Sequence, residues 1–330
     1  MFGISRDIVQ RKFVQNPPTS PIPAGGWLKR DEAIMGTAIS VELWSDDRAA
    51  GEAGISAVMQ EMHRIDRAMS PHRPDSELSR INREAALAPV VISAEMFGLL
   101  SRAAHFSEVS EGAFDITYAA VGRLFNYRLG TRPTEAALEQ AREAVGYRHV
   151  LLDPSEHTVR FARPGVCIDL GGFAKGYAVD RATAILGRHG VAHANVSAGG
   201  DSRVIGDRRG RPWTIGIRDP RRPGELVALV PLEDTSISTS GDYERYFVQD
   251  GTRFHHLIDP ATGKSPSSVR SATVFAADGL TTEAFSKCVF VLGAERGMQL
   301  IEAQHTIDAV VVDSSGALHY STGLRSPTLQ

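Results

Sequence analysis

The sequence predicts an α+β fold, with antiparallel sheets and helices held in separate segments. Three observations lead there. Helical periodicity is concentrated in the first half, where Ile55, Val58, Met59, Met62, Ile65 and Met69 recur at three- and four-residue spacing. From residue 194 onward, short runs punctuated by Gly and Pro dominate, as antiparallel strands joined by tight turns require. The one strand–glycine–helix stretch lacks the Gly-x-Gly-x-x-Gly spacing of a doubly wound dinucleotide fold.

In chain order, residues 1–27 read as an N-terminal arm, Pro- and Gly-rich from Pro17 to Gly26, and 28–330 as one domain. "IMGTAISVEL" (34–43) alternates as a strand, and 46–69 is an amphipathic helix. "SPHRPDSELSRIN" breaks the pattern as a polar loop. Ser93 caps a second helix carrying Phe97, Leu100, Ala104 and Phe106. A third runs from near Pro133 to Gly146. "HVLLDPSEHTVRF" is a strand, turn and strand. A helix spans Gly172 to His189, with Gly190 at its C-cap. Strands follow in "HANVSAGGDSRVIG", "RPWTIGIRDP", "ELVALVPL", "SISTSGDYERYFV" and "RFHHLIDP". Helices over 282–292 and 295–303 precede a closing hairpin in "IDAVVVDSSGALHYS".

The 330 residues carry a formal net charge of -3, which leaves no basic surplus to neutralise a nucleic-acid backbone. No run is long enough to span a membrane, and the N-terminus shows no secretory signal or lipobox cysteine, so the cytoplasm is the expected location. Cys167 and Cys288 both sit in apolar runs and read as reduced, buried thiols. Only five of the 36 basic residues are lysines: Lys12, Lys29, Lys175, Lys264 and Lys287. A lysine inside a motif is therefore informative, because ammonium and guanidinium are not equivalent.

The chemistry-bearing stretch is "CIDLGGFAKGYAVDRA" (167–182), read as strand, Gly-Gly, helix. Gly171 and Gly172 let a backbone approach a ligand closely, Lys175 suits an anion, and Asp169 and Asp180 suit donors or a metal. An ordinary strand-to-helix turn with a surface lysine is equally compatible with the spacing. Thr239, Ser240 and Gly241 form a small donor cluster or a plain polar turn. In "FHHLIDPATGKSP", adjacent His255 and His256 face opposite sides of a strand, so at most one meets a pocket.

Taken in order, "IMGT", "RPDSELSRIN", "GAFDIT", "IDLGGFAKGYAVDRA", "NVSAGGDSRVIG", "PWTIGIRDP", "STSGDYERYF", "HHLIDPATGK" and "FSKCVFVLG" resemble the ApbE family of flavin transferases, from Ile34 to Tyr320. The resemblance implies binding of FAD and magnesium. It implies transfer of FMN from FAD to a threonine or serine hydroxyl of a target protein, with release of AMP. Some relatives hydrolyse FAD to FMN and AMP, and a non-catalytic FAD-binding protein is a further alternative. By motif position, Met35, His72, Ala113, Phe114, Asp115, Asp169, Lys175 and Leu257 would line the FAD site, with Thr239, Ser240 and Gly241 near it. His256 and Lys175 would be catalytic, and the Gly172 carbonyl a metal ligand.

Three positions depart from the family pattern. His72 stands where a tyrosine is frequent. Glu283 and Lys287 stand where the family has an aspartate and a threonine as magnesium ligands. Glutamate can ligate a hard cation, but a protonated lysine cannot. One reading makes the two a plain i, i+4 pair on a helix. The sharper one places the Lys287 ammonium in part of the metal's position and expects weak or absent magnesium dependence.

Overall fold

The computed structural model describes residues 25–324. The expected arm therefore lies outside the described residues except for its last three, and Gly26 and Trp27 already belong to a strand. Strands β1 (Gly26–Ile34) and β2 (Thr37–Ser45) pair as a hairpin, with Ile34 opposite Thr37. Met35 and Gly36 form its two-residue turn, both at positive φ (54° and 67°), the pattern that matches strand twist. The single strand expected over 34–43 is thus split, because Met35 accepts a left-handed conformation that methionine rarely adopts.

Helix α1 (Arg48–Met69) is capped by Asp47, whose carboxylate accepts the Ala49 and Ala50 amides. Helix α2 (Glu77–Glu84) occupies half of the expected polar loop. Eight residues are too few to show periodicity, but its cap Ser76 and the buried Leu78 and Ile81 are helix signals. After β3 (Val90–Val91), Ser93 caps α3 (Ala94–Val109). The short α4 (Ala119–Gly122) precedes α5 (Glu135–Arg142), capped by Thr134. Strands β4 (Val150–Asp153) and β5 (Thr158–Phe161) join β3 in a small sheet.

Residues 167–170 belong to no strand, unlike the strand expected there, and lead into α6 (Ala174–Arg188). Gly190 follows at φ 74°. Hairpin β6 (Ala194–Ala198) and β7 (Asp201–Ile205), hairpin β8 (Trp213–Arg218) and β9 (Leu226–Leu232), and β10 (Ser236–Gly241) come next. Strands β11 (Tyr246–Gln249) and β12 (Thr252–His255) form a separate two-stranded ribbon. Strand β13 (Val269–Ala276) has no counterpart in the sequence reading. It is buried on both faces and buries Ser271 and Thr273 along with its apolar residues, so it lacks the two-residue alternation of a surface strand. Helix α7 (Gly279–Glu302) contains a break at Gly293 (φ 87°), where two successive helices were expected. Hairpin β14 (Asp308–Asp313) and β15 (Leu318–Tyr320) closes the fold.

The main sheet is antiparallel, in the order β1-β2-β6-β7-β10-β13-β14-β15. Helices α1, α6 and α7 cover one face and bury the principal core. The β8–β9 hairpin covers the other with Trp213, Ile217 and Leu232 against Val204, Ile237, Phe275 and Val310. Strand alternation on β10 turns Ile237 to that hairpin and Ser238 and Ser240 to α7, where both meet Ser286. Cys288 is buried and Cys167 half-buried, and both are free thiols. No helix among the described residues is long and apolar enough to cross a membrane.

Helices α6 and α7 touch backbone to backbone. A Cβ on Gly176 would lie 2.1 Å from the Gly279 carbonyl oxygen, and one on Gly279 would lie 2.5 Å from that of Gly176. One turn further along α6, Asp180 accepts the Gly279 and Leu280 amides at 2.8 and 3.0 Å and so caps α7. Gly176→Ala is expected to destabilise the protein by about 3 kcal/mol, the upper end for overpacking, because backbone cannot swing aside. Gly187→Ala on the same helix meets nothing within 4 Å and is expected to stabilise by about 0.5–1 kcal/mol. Denaturant unfolding of both variants checks the contrast.

Candidate active site

Four charged side chains from three elements meet beneath the α6 N-terminus. Lys175 comes from the first turn of α6, Asp201 from the start of β7, and Glu283 and Lys287 lie one turn apart on α7. The Lys175 ammonium contacts Asp201 Oδ2 at 2.6 Å and also Glu283 Oε1. Lys287 Nζ reaches the same Glu283 Oε1 at 3.2 Å. Glu283 Oε2 accepts the Gly176 amide at 2.7 Å, and Ser238 donates to Asp201 Oδ1. The Ser286 hydroxyl lies 2.8 Å from Ser240 and 3.2 Å from Ser238.

Glu283 is fully buried and the Asp201 side chain is 3% exposed, so neither carboxylate could stay ionised without these partners. Burial opposes the Lys175 ammonium, but Asp201 and Glu283 outweigh it and hold its pKa above the ordinary lysine value. Burial likewise opposes the Asp201 anion, yet Lys175 and Lys287 hold it below the usual carboxylate range. Lys287 is pushed below the ordinary lysine value by burial, with Lys175 adding to the push and Glu283 and Asp201 resisting it.

Lys175 is therefore not the free cation expected from the sequence, and the helix head does not present a bare row of amides. The Gly176 amide is taken by Glu283 and the Ala174 amide by the Leu170 carbonyl. Nor do these side chains fit a divalent cation. Glu283 Oε1 already faces two ammonium groups, its Oε2 faces an amide, and Lys287 offers donors only. Among the described residues, no group of three or more His, Cys, Asp or Glu is placed to hold a metal ion. Gly172, the third expected member, sits in the half-buried turn before α6, beside the ring edge of Phe114.

His256 follows β12, and its amide donates to the Arg245 carbonyl at 3.0 Å. Its Nδ1 is buried and has no hydrogen-bond partner among the described residues. Burial pushes its pKa down to about 3, reinforced by the charges of Arg245 and Lys287, so the imidazole is neutral at physiological pH. His255 points elsewhere: its Nε2 bonds the Pro266 carbonyl at 2.8 Å and its ring packs edge-on against Phe290. Leu257 next to them is buried in the core.

The remaining expected residues form the surround. Asp169 Oδ1 accepts the Gly171 amide at 2.6 Å, and its own amide donates to the Ile116 carbonyl. Burial raises the Asp169 pKa, with His72 and Arg245 nearby opposing the rise. Asp115 accepts the Thr117 amide and hydroxyl and the Tyr147 amide, which fixes the loop that supplies Ile116. Phe114 packs edge-on against Phe106 and Phe173, with Ala113 buried beside it. Thr239 pairs with Thr273 at 2.9 Å, and the missing Cβ of Gly241 leaves room for the Tyr243 ring. Met35 and Gly36 line an open cleft with His63 and Asp66, and Arg245 reaches toward the Gly36 carbonyl.

Sequence reasoning did not single out Asp201, Ser286 or Arg245. Asp201 carried a faint signal, an acid directly after a Gly-Gly turn. A helical serine and an exposed arginine carried none.

Residues 35–311 match the family model described as the ApbE family. The FAD:protein FMN transferase of Treponema pallidum (strain Nichols) is 33% identical, over 89% of this chain and 87% of its own length. That of Klebsiella pneumoniae (strain 342) is also 33% identical, over 84% and 87%. Among solved structures, the ApbE protein of Thermotoga maritima aligns with a TM-score of 0.84 at 33% identity, covering 90% of this chain and 98% of that one. The flavin transferase ApbE from Vibrio cholerae aligns with a TM-score of 0.80 at 28% identity over the same shares. Coverage of this extent makes the likeness one of the whole fold rather than of a shared motif.

A histidine whose folded pKa lies below its free value of 6.5 binds protons more weakly in the folded state. Its neutral form therefore costs nothing above about pH 6.5, and stability declines as pH falls toward 3. His256→Gln is expected to lose stability less steeply than the parent between those limits. Urea unfolding as a function of pH checks this, and equal slopes would show that the imidazole is not held neutral.

Proposed function

The chain belongs to the ApbE family, and from that premise we propose that it is an FAD:protein FMN transferase that moves FMN from FAD to a threonine or serine hydroxyl of a separate protein. The observation that carries the reading is His256. A neutral imidazole whose buried Nδ1 has no partner among the described residues lies within the field of two cations, Lys287 and Arg245. A neutral imidazole has a free lone pair for the hydroxyl proton, and cations beside it oppose the charge of a diphosphate.

In this mechanism the acceptor oxygen attacks the FMN-side phosphorus in line with the bridging oxygen. A new phosphorus–oxygen ester bond forms, the anhydride bond breaks, and AMP departs with the bridging oxygen. The hydroxyl proton passes to the His256 imidazole. Lys287 and Arg245 oppose the charge that gathers on the phosphoryl oxygens. Lys175 acts as a positioning residue: it holds Asp201 and Glu283 in place, and Glu283 in turn holds Lys287. Met35, His72, Ala113, Phe114, Asp115, Asp169, Thr239, Ser240, Gly241 and Leu257 would shape the flavin nucleotide site. Asp115 and Phe114 do so by fixing the loop behind Asp169.

Incubation with FAD and a threonine-bearing acceptor, followed by a denaturing gel, separates the outcomes. Flavin fluorescence on the acceptor band with AMP in solution is expected. Free FMN with AMP and an unlabelled acceptor would mean hydrolysis, and intact FAD would mean binding alone. His256→Ala is expected to slow AMP release by roughly 10²–10⁴-fold, the usual contribution of a general base, with FAD binding retained.

A further inference from the structure

We infer that this chain meets the FAD diphosphate with a fixed side-chain cation, the Lys287 ammonium, in the place of a divalent metal ion, so that FAD binding needs no magnesium. The inference rests on the proposed function. It begins from charge balance. Asp201 and Glu283 bring two negative charges into a buried site, and Lys175 alone can cancel one. A neutral side chain at position 287 would leave a net negative centre that attracts a cation from solution. Lys287 supplies the missing charge from within the chain.

The geometry agrees. Lys287 stands one helical turn from Glu283 and shares Oε1 with Lys175, which leaves no lone-pair face of that oxygen for a metal. The other carboxylate oxygen is committed to the Gly176 amide. Among the described residues the Lys287 ammonium hydrogen-bonds Glu283 alone, which leaves further donor capacity on a group with three N–H bonds. Its side chain keeps 18% of its surface open. Its field reaches His256, the base of the proposed reaction, from α7, as that of Arg245 does from the segment between β10 and β11. An ammonium carries one charge where magnesium carries two, and the exposed Arg245 guanidinium is the second positive group at the same imidazole.

The test is an FAD titration of the full chain, followed by flavin fluorescence, in EDTA and in millimolar magnesium. The expected Kd values agree within about twofold. Tightening by about tenfold or more with magnesium would overturn the inference and leave the proposed function standing. Absence of FAD binding in both buffers would overturn both. Lys287→Thr is expected to bind FAD weakly in EDTA and to recover with magnesium, whereas Lys287→Arg is expected to stay magnesium-independent. Manganese paramagnetic resonance reads the site without FAD: the free-ion signal should persist with the parent chain and diminish with Lys287→Thr. A signal lost equally with the parent chain would sink the inference. The parent measurements stand alone should the threonine variant fail to fold.

Discussion

The structure depends on the neutralisation of two carboxylates that the fold removes from water. Asp201 begins a strand of the main sheet, and Glu283 projects from a helix laid across that sheet. Neither could be an anion there by itself, since an unpaired buried charge costs several kcal/mol. Lys175 answers both at once from a third element, α6. One ammonium therefore fixes the relative placement of a central strand of the sheet and two helices. Truncating any member would leave a charge stranded, so the cluster binds its elements together whether or not it adds net stability over an apolar alternative.

The glycine contact between α6 and α7 is what makes the cluster possible. Glu283 can accept the Gly176 amide only if α7 approaches the backbone of α6 without side chains between them. Gly176 and Gly279 provide that approach. Asp180 then uses both carboxylate oxygens on the first amides of α7 and pairs with Arg203 on β7. Two acids on opposite helices, Asp180 and Glu283, thus each hold backbone amides of the other helix. The reciprocal arrangement fixes how α7 sits against α6, and so where Lys287 emerges.

The amphipathic α1, the capped α3 and α5 and the β-rich second half were legible because each repeats a local signal: periodicity, a capping side chain, a turn residue. The elements that escaped lack such a signal. Strand β13 is buried at consecutive positions, polar Ser271 and Thr273 included, so it shows no two-residue alternation, and α2 is too short for a period to show. At the site, Lys175, Glu283 and Lys287 were visible as motif positions, and the divergence of His255 from His256 follows from strand geometry. Their pairing was not visible, because Lys175 and Glu283 are 108 residues apart and only the tertiary fold joins them. The aspartates of the 167–182 stretch called for donor-rich neighbours. Asp180 found backbone amides of α7 and Asp169 found that of Gly171, so the same residue type serves helix capping and loop shape.

A substitution at position 287 is therefore not a local event. In a cluster with two acids and one lysine, the fourth position decides whether the charge is closed by the chain or left for solution to close. Closing it from within removes dependence on ion concentration but spends the ammonium's direction: Lys287 is tied to Glu283 and cannot follow a ligand as a mobile ion would. The chemistry then leans on preorganisation. The imidazole of His256 stays neutral chiefly because it is buried, with Arg245 and Lys287 reinforcing this, and those same cations are the ones that an incoming diphosphate would meet.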